Sequence, residues 1–477
     1  MRKNILIYAA LVLVFGAGVL MILQAGRGLE TQHASVPPVG EPSASEGARA
    51  GGLVENLRHP LAVLLLQVLV ILFASRVTGT LFRRMAQPAV IGEMVAGILL
   101  GPSFLGMLWP RGQSYLFPSS SLALLQAISQ IGVVLFMFVV GTEIDTLQIR
   151  RQAHAAVLVS HASIVVPFFL GTALSLVLYR SLSPSNIPFA AFALFLGVAM
   201  SITAFPVLAR IIKERGLSGT PLGNTALACA AVDDVTAWCM LAVVIAVVQA
   251  QALSGAALTI LLAGLFIAVM LFLVKPLAGR FAGESLEGAA RGRAVMTGTL
   301  ILIFASALFT EAIGIHALFG AFLAGVALSP QTRLRGFLKE SLEPICTVFL
   351  LPLFFAFAGL RTQLGLLDDT GSYLACLAVI AVAIAGKLGA GTMAARWTGL
   401  GWHEALSIGA LMNTRGLIEL IVLNIGYDLG ILAPRMYSIM ILMAVVTTCM
   451  TGPLLSIFER RKETELASSG AAVARLP

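Results

Sequence analysis

The stretch Ala230-Ala231-Val232-Asp233-Asp234-Val235-Thr236-Ala237-Trp238 places two adjacent aspartates in the middle of a long apolar run. The flanking residues are uncharged for more than half a membrane span on both sides. If this run crosses a bilayer, the pair lies near the midplane, where a charged side chain costs about 2.5–3.5 kcal/mol. Acids in that position bind ions or relay protons. The stretch therefore predicts an ion or proton site inside a membrane.

The composition predicts an all-α membrane protein that crosses the bilayer many times. Hydrophobic residues make up 58% of the chain and charged residues 11%, whereas a soluble domain has about 25% charged residues. Apolar runs long enough to cross a ~30 Å hydrocarbon core recur along most of the sequence. The net charge of +8 comes without a basic patch interleaved with aromatic residues, which argues against nucleic-acid binding. No nucleotide or cofactor motif is found, and the five cysteines lack metal-ligand spacing.

The chain divides into four predicted regions. Residues 1–24 form a hydrophobic segment that is either an extra helix or a signal peptide, and residues 25–57 form a flexible extracytoplasmic linker rich in Gly, Pro and Ser. Residues 58–458 form the transmembrane domain, with about thirteen spans of helical length. Residues 459–477 form a short cytoplasmic tail.

The distribution of basic residues predicts the orientation of these spans. With the N-terminus inside and the spans alternating, 22 of the 31 Lys and Arg residues fall on the cytoplasmic side and 7 on the outer side. Only Lys387 and Arg415 lie within spans. Because cytoplasmic loops carry an excess of Lys and Arg, this bias predicts a multi-pass protein of the cell inner (plasma) membrane with a cytoplasmic C-terminus.

Two of the spans are interrupted by residues that disfavour a continuous helix. One contains Ile202-Thr203-Ala204-Phe205-Pro206 and the other contains Asn413-Thr414-Arg415-Gly416. Proline lacks an N–H and clashes with the preceding turn, so either a kink or an unwound segment is expected at Pro206. The two interruptions lie an odd number of spans apart and therefore run in opposite directions. That offset is typical of inverted repeats, whose binding site lies where the broken helices meet.

The acidic pair needs two different partners. Neighbouring residues on a helix point roughly 100° apart, so Asp233 and Asp234 cannot face the same group. One carboxylate is expected to face an ion cavity and the other a buried cation. Lys387 is the candidate cation, because it is the only lysine within a span. A static ion pair that merely joins two helices is the alternative for this lysine.

Two further acids are weaker candidates for the site. Glu419 follows Arg415 by one helical turn, so the two side chains can form an ion pair. An unwound segment at Arg415 would place its cation against the carbonyl ends of half-helices. Glu93 lies in a short, glycine-rich span and either joins the site or pairs locally.

Four motifs together resemble the monovalent cation:proton antiporter-2 family, close to its plant and bacterial cation/proton exchangers. They are Thr203–Arg210, Ala230–Trp238, Gly314–Phe322 and Asn413–Leu420, and the resemblance covers about residues 58–458. It implies a sodium/proton-antiporter fold with inverted repeats and two discontinuous helices that cross. It also implies a core domain, a dimer domain, a homodimer and elevator-like alternating access.

The resemblance also implies roles for individual residues. Asp234 would bind the transported cation or a proton, and Asp233 would pair with Lys387. We expect Asp233, Thr203 and the backbone carbonyls near Ile202 and Asn413 to assist Asp234 in binding. The protein would be a transporter rather than an enzyme, with Na⁺, K⁺ or Li⁺ and H⁺ as its ligands. The Asp-Asp-Lys set resembles that of electrogenic Na⁺/H⁺ antiporters, whereas the flanking motifs resemble exchangers that handle K⁺. An electroneutral K⁺/H⁺ exchanger is therefore the first alternative, and a cation channel is the second.

Overall fold

The computed structural model describes residues 14–25, 59–85, 87–143, 153–217, 220–249, 253–282, 289–314 and 316–473. Within these ranges the regular secondary structure is entirely helical, and ten helices are long and apolar enough to cross a membrane. The helices are α1 (Val14–Ala25), α2 (Pro60–Arg84), α3 (Ala89–Leu100), α4 (Ser119–Glu143), α5 (Ala153–Leu182), α6 (Phe189–Ser201), α7 (Phe205–Glu214), α8 (Pro221–Gln249), α9 (Leu253–Val269, Met270–Val274 and Lys275–Ala282), α10 (Ala289–Ala312), α11 (Ala317–Leu328), α12 (Thr332–Ile345, Cys346–Leu350 and Leu351–Leu360), α13 (Thr370–Ile384, Ala385–Gly389 and Ala390–Trp397), α14 (Trp402–Met412), α15 (Leu417–Asp428) and α16 (Pro434–Val473). The middle segments of α9, α12 and α13 are π-helical. Two short helices, Leu105–Leu108 and Pro110–Leu116, lie in the connection between α3 and α4.

Both predicted interruptions are real breaks in the helices. Residues 202–204 separate α6 from α7, and residues 413–416 separate α14 from α15. The prediction was wrong for Phe205 and Pro206, which form the first turn of α7 instead of unwound chain. Proline is well suited to that position, because its φ is preset for a helix and its missing N–H would be unpaired there anyway.

The helices pack in two groups. The first, here called the site bundle, contains α5, α6, α8, α13, α14 and α16. The second, here called the flanking bundle, contains α2, α3, α4, α10, α11 and α12. Broken helix α15 connects them, because it packs on α6 and α16 and also touches α12.

Small residues bring the helices of the flanking bundle into backbone contact. At the crossing of α4 and α11, a Cβ added to Gly325 would lie 2.1 Å from the carbonyl oxygen of Phe138. A Cβ added to Gly141 would likewise lie 2.2 Å from the carbonyl oxygen of Phe322. Only glycine permits this approach, which is how membrane helices gain packing contacts without a hydrophobic driving force.

The terminal regions are described only in part. Helix α1 packs on α5, where the Phe15 ring meets Phe169 edge to face with centroids 5.0 Å apart. Most of the predicted linker, residues 26–57, lies outside the described residues. The predicted tail continues α16 as far as Val473.

Candidate cation and proton site

The two broken helices meet at their unwound segments. The Ala204 N–H donates to the Thr414 carbonyl oxygen at 3.0 Å. The Thr203 hydroxyl lies 3.2 Å from the Met412 carbonyl oxygen. Residues 202–204 and 413–416 are all buried in the interior of the site bundle. The sequence prediction that these two segments come together is therefore confirmed.

Arg415 neutralises a helix end at this crossing. Its guanidinium donates to the carbonyl oxygens of Ala199 and Met200, at 3.0 and 2.7 Å, in the last turn of α6. These carbonyls carry the partial negative charge of a helix C-terminus. The Glu419 carboxylate in turn accepts a hydrogen bond of 3.0 Å from Arg415, and both side chains are fully buried. The predicted ion pair is present, and its cation also binds the C-terminal end of α6, which belongs to the other broken helix.

Asp233 is held in a dense network. Its carboxylate accepts hydrogen bonds from Ser160 at 2.5 Å, Thr203 at 2.6 Å and Lys387 at 3.1 Å. The Lys387 ammonium also donates to Thr203 at 2.6 Å and to Ser163 at 3.2 Å. All five side chains are buried. The predicted Asp233–Lys387 pair is therefore present, and its polar atoms are satisfied.

Local structure places Lys387 in this network. The residue lies in the π-helical segment of α13, and π-bulges often mark functional positions because they re-aim side chains. Its neighbour Gly386 packs against Pro167 of α5, where an added Cβ would lie 3.1 Å from the proline Cα. Close approach of α13 to α5 brings the ammonium to the serines of α5.

Sequence reasoning missed Ser160 and Ser163. The signal was present as Ser160-His161-Ala162-Ser163, a polar cluster inside an apolar span. Hydroxyl side chains are common in membrane helices, where they usually bond to their own backbone, so the cluster alone did not identify a site. Their role follows from the packing of α5 against α8 and α13.

Asp234 differs from its neighbour in having no such partners. Its side chain is 1% exposed, yet no described residue completes a hydrogen bond to either carboxylate oxygen. The main-chain N–H of Phe205 interacts with it electrostatically, at the positive N-terminal end of α7. The Asn413 side chain is also fully buried, and both of its polar atoms lack partners among the described residues. The crossing thus holds two buried polar side chains whose bonding capacity is unused.

Glu93 lies in a different part of the structure. It lies on α3 of the flanking bundle and lines a cavity of about 390 Å³ with Ser75 and Arg76 of α2 and Thr347 of α12. None of the crossing residues lines that cavity. A site role for Glu93 stays a prediction.

Comparison with known proteins places this arrangement in a family. The family described as sodium/hydrogen exchanger, transmembrane, matches residues 68–459. The Na⁺/H⁺ antiporter NhaS4 of Synechocystis is 42% identical over 83% of this chain and 97% of its own length. Cation/H⁺ antiporter 17 of Arabidopsis thaliana is 38% identical over 84% of this chain and 48% of its own length. K⁺/H⁺ antiporter 1 of Saccharomyces cerevisiae is 32% identical over 84% and 47%. The chain therefore spans about half the length of these plant and yeast relatives.

A solved structure shares the architecture. The sodium proton antiporter MjNhaP1 of Methanocaldococcus jannaschii matches 83% of this chain and 96% of its own, with a TM-score of 0.63 and 14% identity. That similarity confirms the predicted sodium/proton-antiporter fold. Together with the sequence matches, it establishes that this multi-pass membrane protein belongs to the sodium/hydrogen exchanger family.

Proposed function

We propose that the protein exchanges a monovalent cation for protons across the membrane by alternating access, with Na⁺ as the first candidate and Asp234 as the shared site. The observation that supports this proposal is the contrast between the two aspartates. Asp233 accepts hydrogen bonds from three side chains, whereas Asp234 is equally buried, accepts none from a described side chain and interacts with the Phe205 main-chain N–H.

A buried carboxylate that accepts no hydrogen bond from a side chain can support the exchange of a cation for a proton. A bare carboxylate in a low-dielectric interior is strongly unfavourable, so Asp234 must either bind a proton or bind a cation. Each ligand neutralises the charge that attracts the other, and the two therefore compete for one site. If the loaded site can face each side of the membrane in turn, a gradient of either ligand drives the other in the opposite direction.

The Asp233–Lys387 pair would set the stoichiometry. If both groups stay charged throughout the cycle, only the proton on Asp234 exchanges, and one cation moves against one proton without net charge transfer. If Lys387 also releases its proton when the cation binds, two protons move against one cation, and transport becomes electrogenic. Our prediction from the Asp-Asp-Lys set is the electrogenic case, with the electroneutral K⁺ exchanger as the alternative.

The decisive experiment is proton flux in proteoliposomes with Na⁺ and then K⁺ as the imposed gradient, with and without a voltage clamp. We expect a Na⁺ response that depends on voltage. Asp234→Asn should abolish exchange with either cation, because an amide cannot carry the competing proton. Asp368→Asn, which removes an exposed carboxylate, is the matched control and should retain exchange. Cation-driven proton flux in Asp234→Asn would contradict the assignment of the site.

The assembly and the orientation are part of the same proposal. We propose a homodimer in the plasma membrane with the C-terminus in the cytoplasm. The charge bias between the two sets of loops supports the orientation. Cysteine accessibility at Ser456, near the end of the last span, would test the orientation, and chemical cross-linking in membranes would test the dimer.

A further inference from the structure

Asn413 is a buried amide with no partner. Its side chain has an exposed fraction of 0%, and neither the amide oxygen nor the amide nitrogen has a hydrogen-bond partner among the described residues. Buried amides are nearly always hydrogen-bonded, because an unsatisfied one forfeits its interactions with water. An unsatisfied amide at the centre of a functional site therefore points to a ligand that occupies it during the cycle.

The contacts of its neighbours fix the place of Asn413. The preceding carbonyl, of Met412, lies against the Thr203 hydroxyl at 3.2 Å, and that hydroxyl donates to Asp233. The following carbonyl, of Thr414, accepts the Ala204 N–H at 3.0 Å. Asn413 is thus bracketed by two contacts with the unwound segment that leads into α7, whose first N–H interacts with the second aspartate.

We propose that the Asn413 side-chain amide oxygen is a second ligand of the transported cation, in addition to Asp234, and contributes to the choice of ion. This inference rests on the proposed function. Hard cations bind carboxylate, amide and carbonyl oxygens, and a neutral amide adds a ligand without adding charge.

The ion preference follows from the geometry of ligation. The Asp234 carboxylate attracts any cation, so it discriminates weakly between Na⁺, Li⁺ and K⁺. A neutral oxygen on a buried side chain limits the distance at which the second bond forms. Removal of that oxygen should weaken the binding of all three cations, and the loss should be greatest for the ion that fits the intact site.

The test compares Asn413→Ala and Asn413→Ser with a matched control. Asn424→Ala removes another buried asparagine, from α15, whose amide oxygen and nitrogen are hydrogen-bonded to Arg361, Tyr437 and Leu420. The KM values for Na⁺, Li⁺ and K⁺ are measured for each variant in proteoliposomes. We expect Asn413→Ala to raise the KM of the preferred ion about tenfold, which corresponds to about 1.4 kcal/mol of binding free energy. We also expect it to change the ratio of KM values between ions.

The two variants at Asn413 separate ligation from folding. Asn413→Ser replaces the amide oxygen with a hydroxyl oxygen on a shorter side chain and is expected to show an intermediate KM. Its elution profile and unfolding temperature show whether the site bundle is intact. Asn424→Ala should leave the KM ratio between ions unchanged. Unchanged KM ratios in both folded Asn413 variants would overturn the inference. The proposed function would fail on a different result, namely exchange by Asp234→Asn.

Discussion

Lys387→Met is the substitution whose consequence the structure defines best. It removes an ammonium that donates to Asp233, Thr203 and Ser163 at 3.1, 2.6 and 3.2 Å, and it keeps most of the apolar stem. Asp233 then stays buried with only hydroxyl donors. The substitution of its partner, Asp233→Asn, leaves Lys387 buried without a counter-charge.

The expected magnitude follows from the burial of both groups. Both side chains have an exposed fraction of 0%, and breaking such a pair by removing one partner costs about 3–5 kcal/mol. If the two sites were independent, the double variant Asp233→Asn/Lys387→Met would lose about 6–10 kcal/mol, the sum of the two single losses. Replacing both charges at once leaves no isolated charge, and such replacements are often close to neutral. We therefore expect the double variant to be at least as stable as either single variant.

The assay is the thermal unfolding midpoint, in detergent, of the purified wild-type protein, the two single variants and the double variant. For a chain of this size, each single variant should lose roughly 3–10 °C, and the double variant should recover most of that loss. Asp368→Asn is the control, because this carboxylate is 68% exposed and its pair with Arg435 is 3.4 Å long, so it should shift the midpoint very little. Losses that simply add in the double variant would refute the coupling between Asp233 and Lys387.

Three further predictions address the rest of the site and the fold. Arg415→Ala should abolish transport and lower the unfolding midpoint, since it leaves two helix carbonyls and the buried Glu419 without their hydrogen-bond donor. Arg415→Lys should retain part of the transport activity and part of the thermal stability. Thr203→Val should reduce proton flux at least tenfold while Thr203→Ser retains most of it, because the hydroxyl donates to Asp233 and accepts from Lys387 beside their direct contact, and valine can do neither. Gly325→Ala should destabilise the protein by about 1–3 kcal/mol in denaturant unfolding, and Gly298→Ala, whose added Cβ meets nothing within 4 Å, should not.

Most of the fold is readable from the sequence because the membrane imposes one dominant constraint. Every backbone polar group in a span must be paired within its own helix, so long apolar runs predict helices. The same constraint makes the exceptions informative, and both breaks were predicted from Pro206 and from the polar set around Arg415. The ends of the breaks were less predictable. Pro206 starts α7, since proline suits a first helical turn as well as it disrupts a later one.

The site was predictable where a residue carries a charge and hidden where it carries a hydroxyl. A buried Lys387 or Arg415 is unfavourable enough in a span to require a partner, so each indicates its own function. Ser160 and Ser163 incur little penalty in a membrane helix, and their contacts with Asp233 and Lys387 exist only once α5 packs beside α8 and α13. Helix geometry alone left open which aspartate faces the cation, because adjacency shows that the two side chains diverge but not which way each points. Only the family resemblance assigned that position to Asp234.

The charges at the crossing explain why the site suits a monovalent ligand. Asp233 and Lys387 form one neutral pair, and Arg415 and Glu419 form another. Among the described residues around the two unwound segments, Asp234 is then the one charge without a counter-charge. A single proton or a single monovalent cation neutralises it, whereas a divalent cation would leave an excess positive charge in a low-dielectric interior. As long as Lys387 keeps its proton, neutral pairs around one unpaired carboxylate thus favour a ligand with one positive charge, and a proton and a monovalent cation then compete for the same carboxylate.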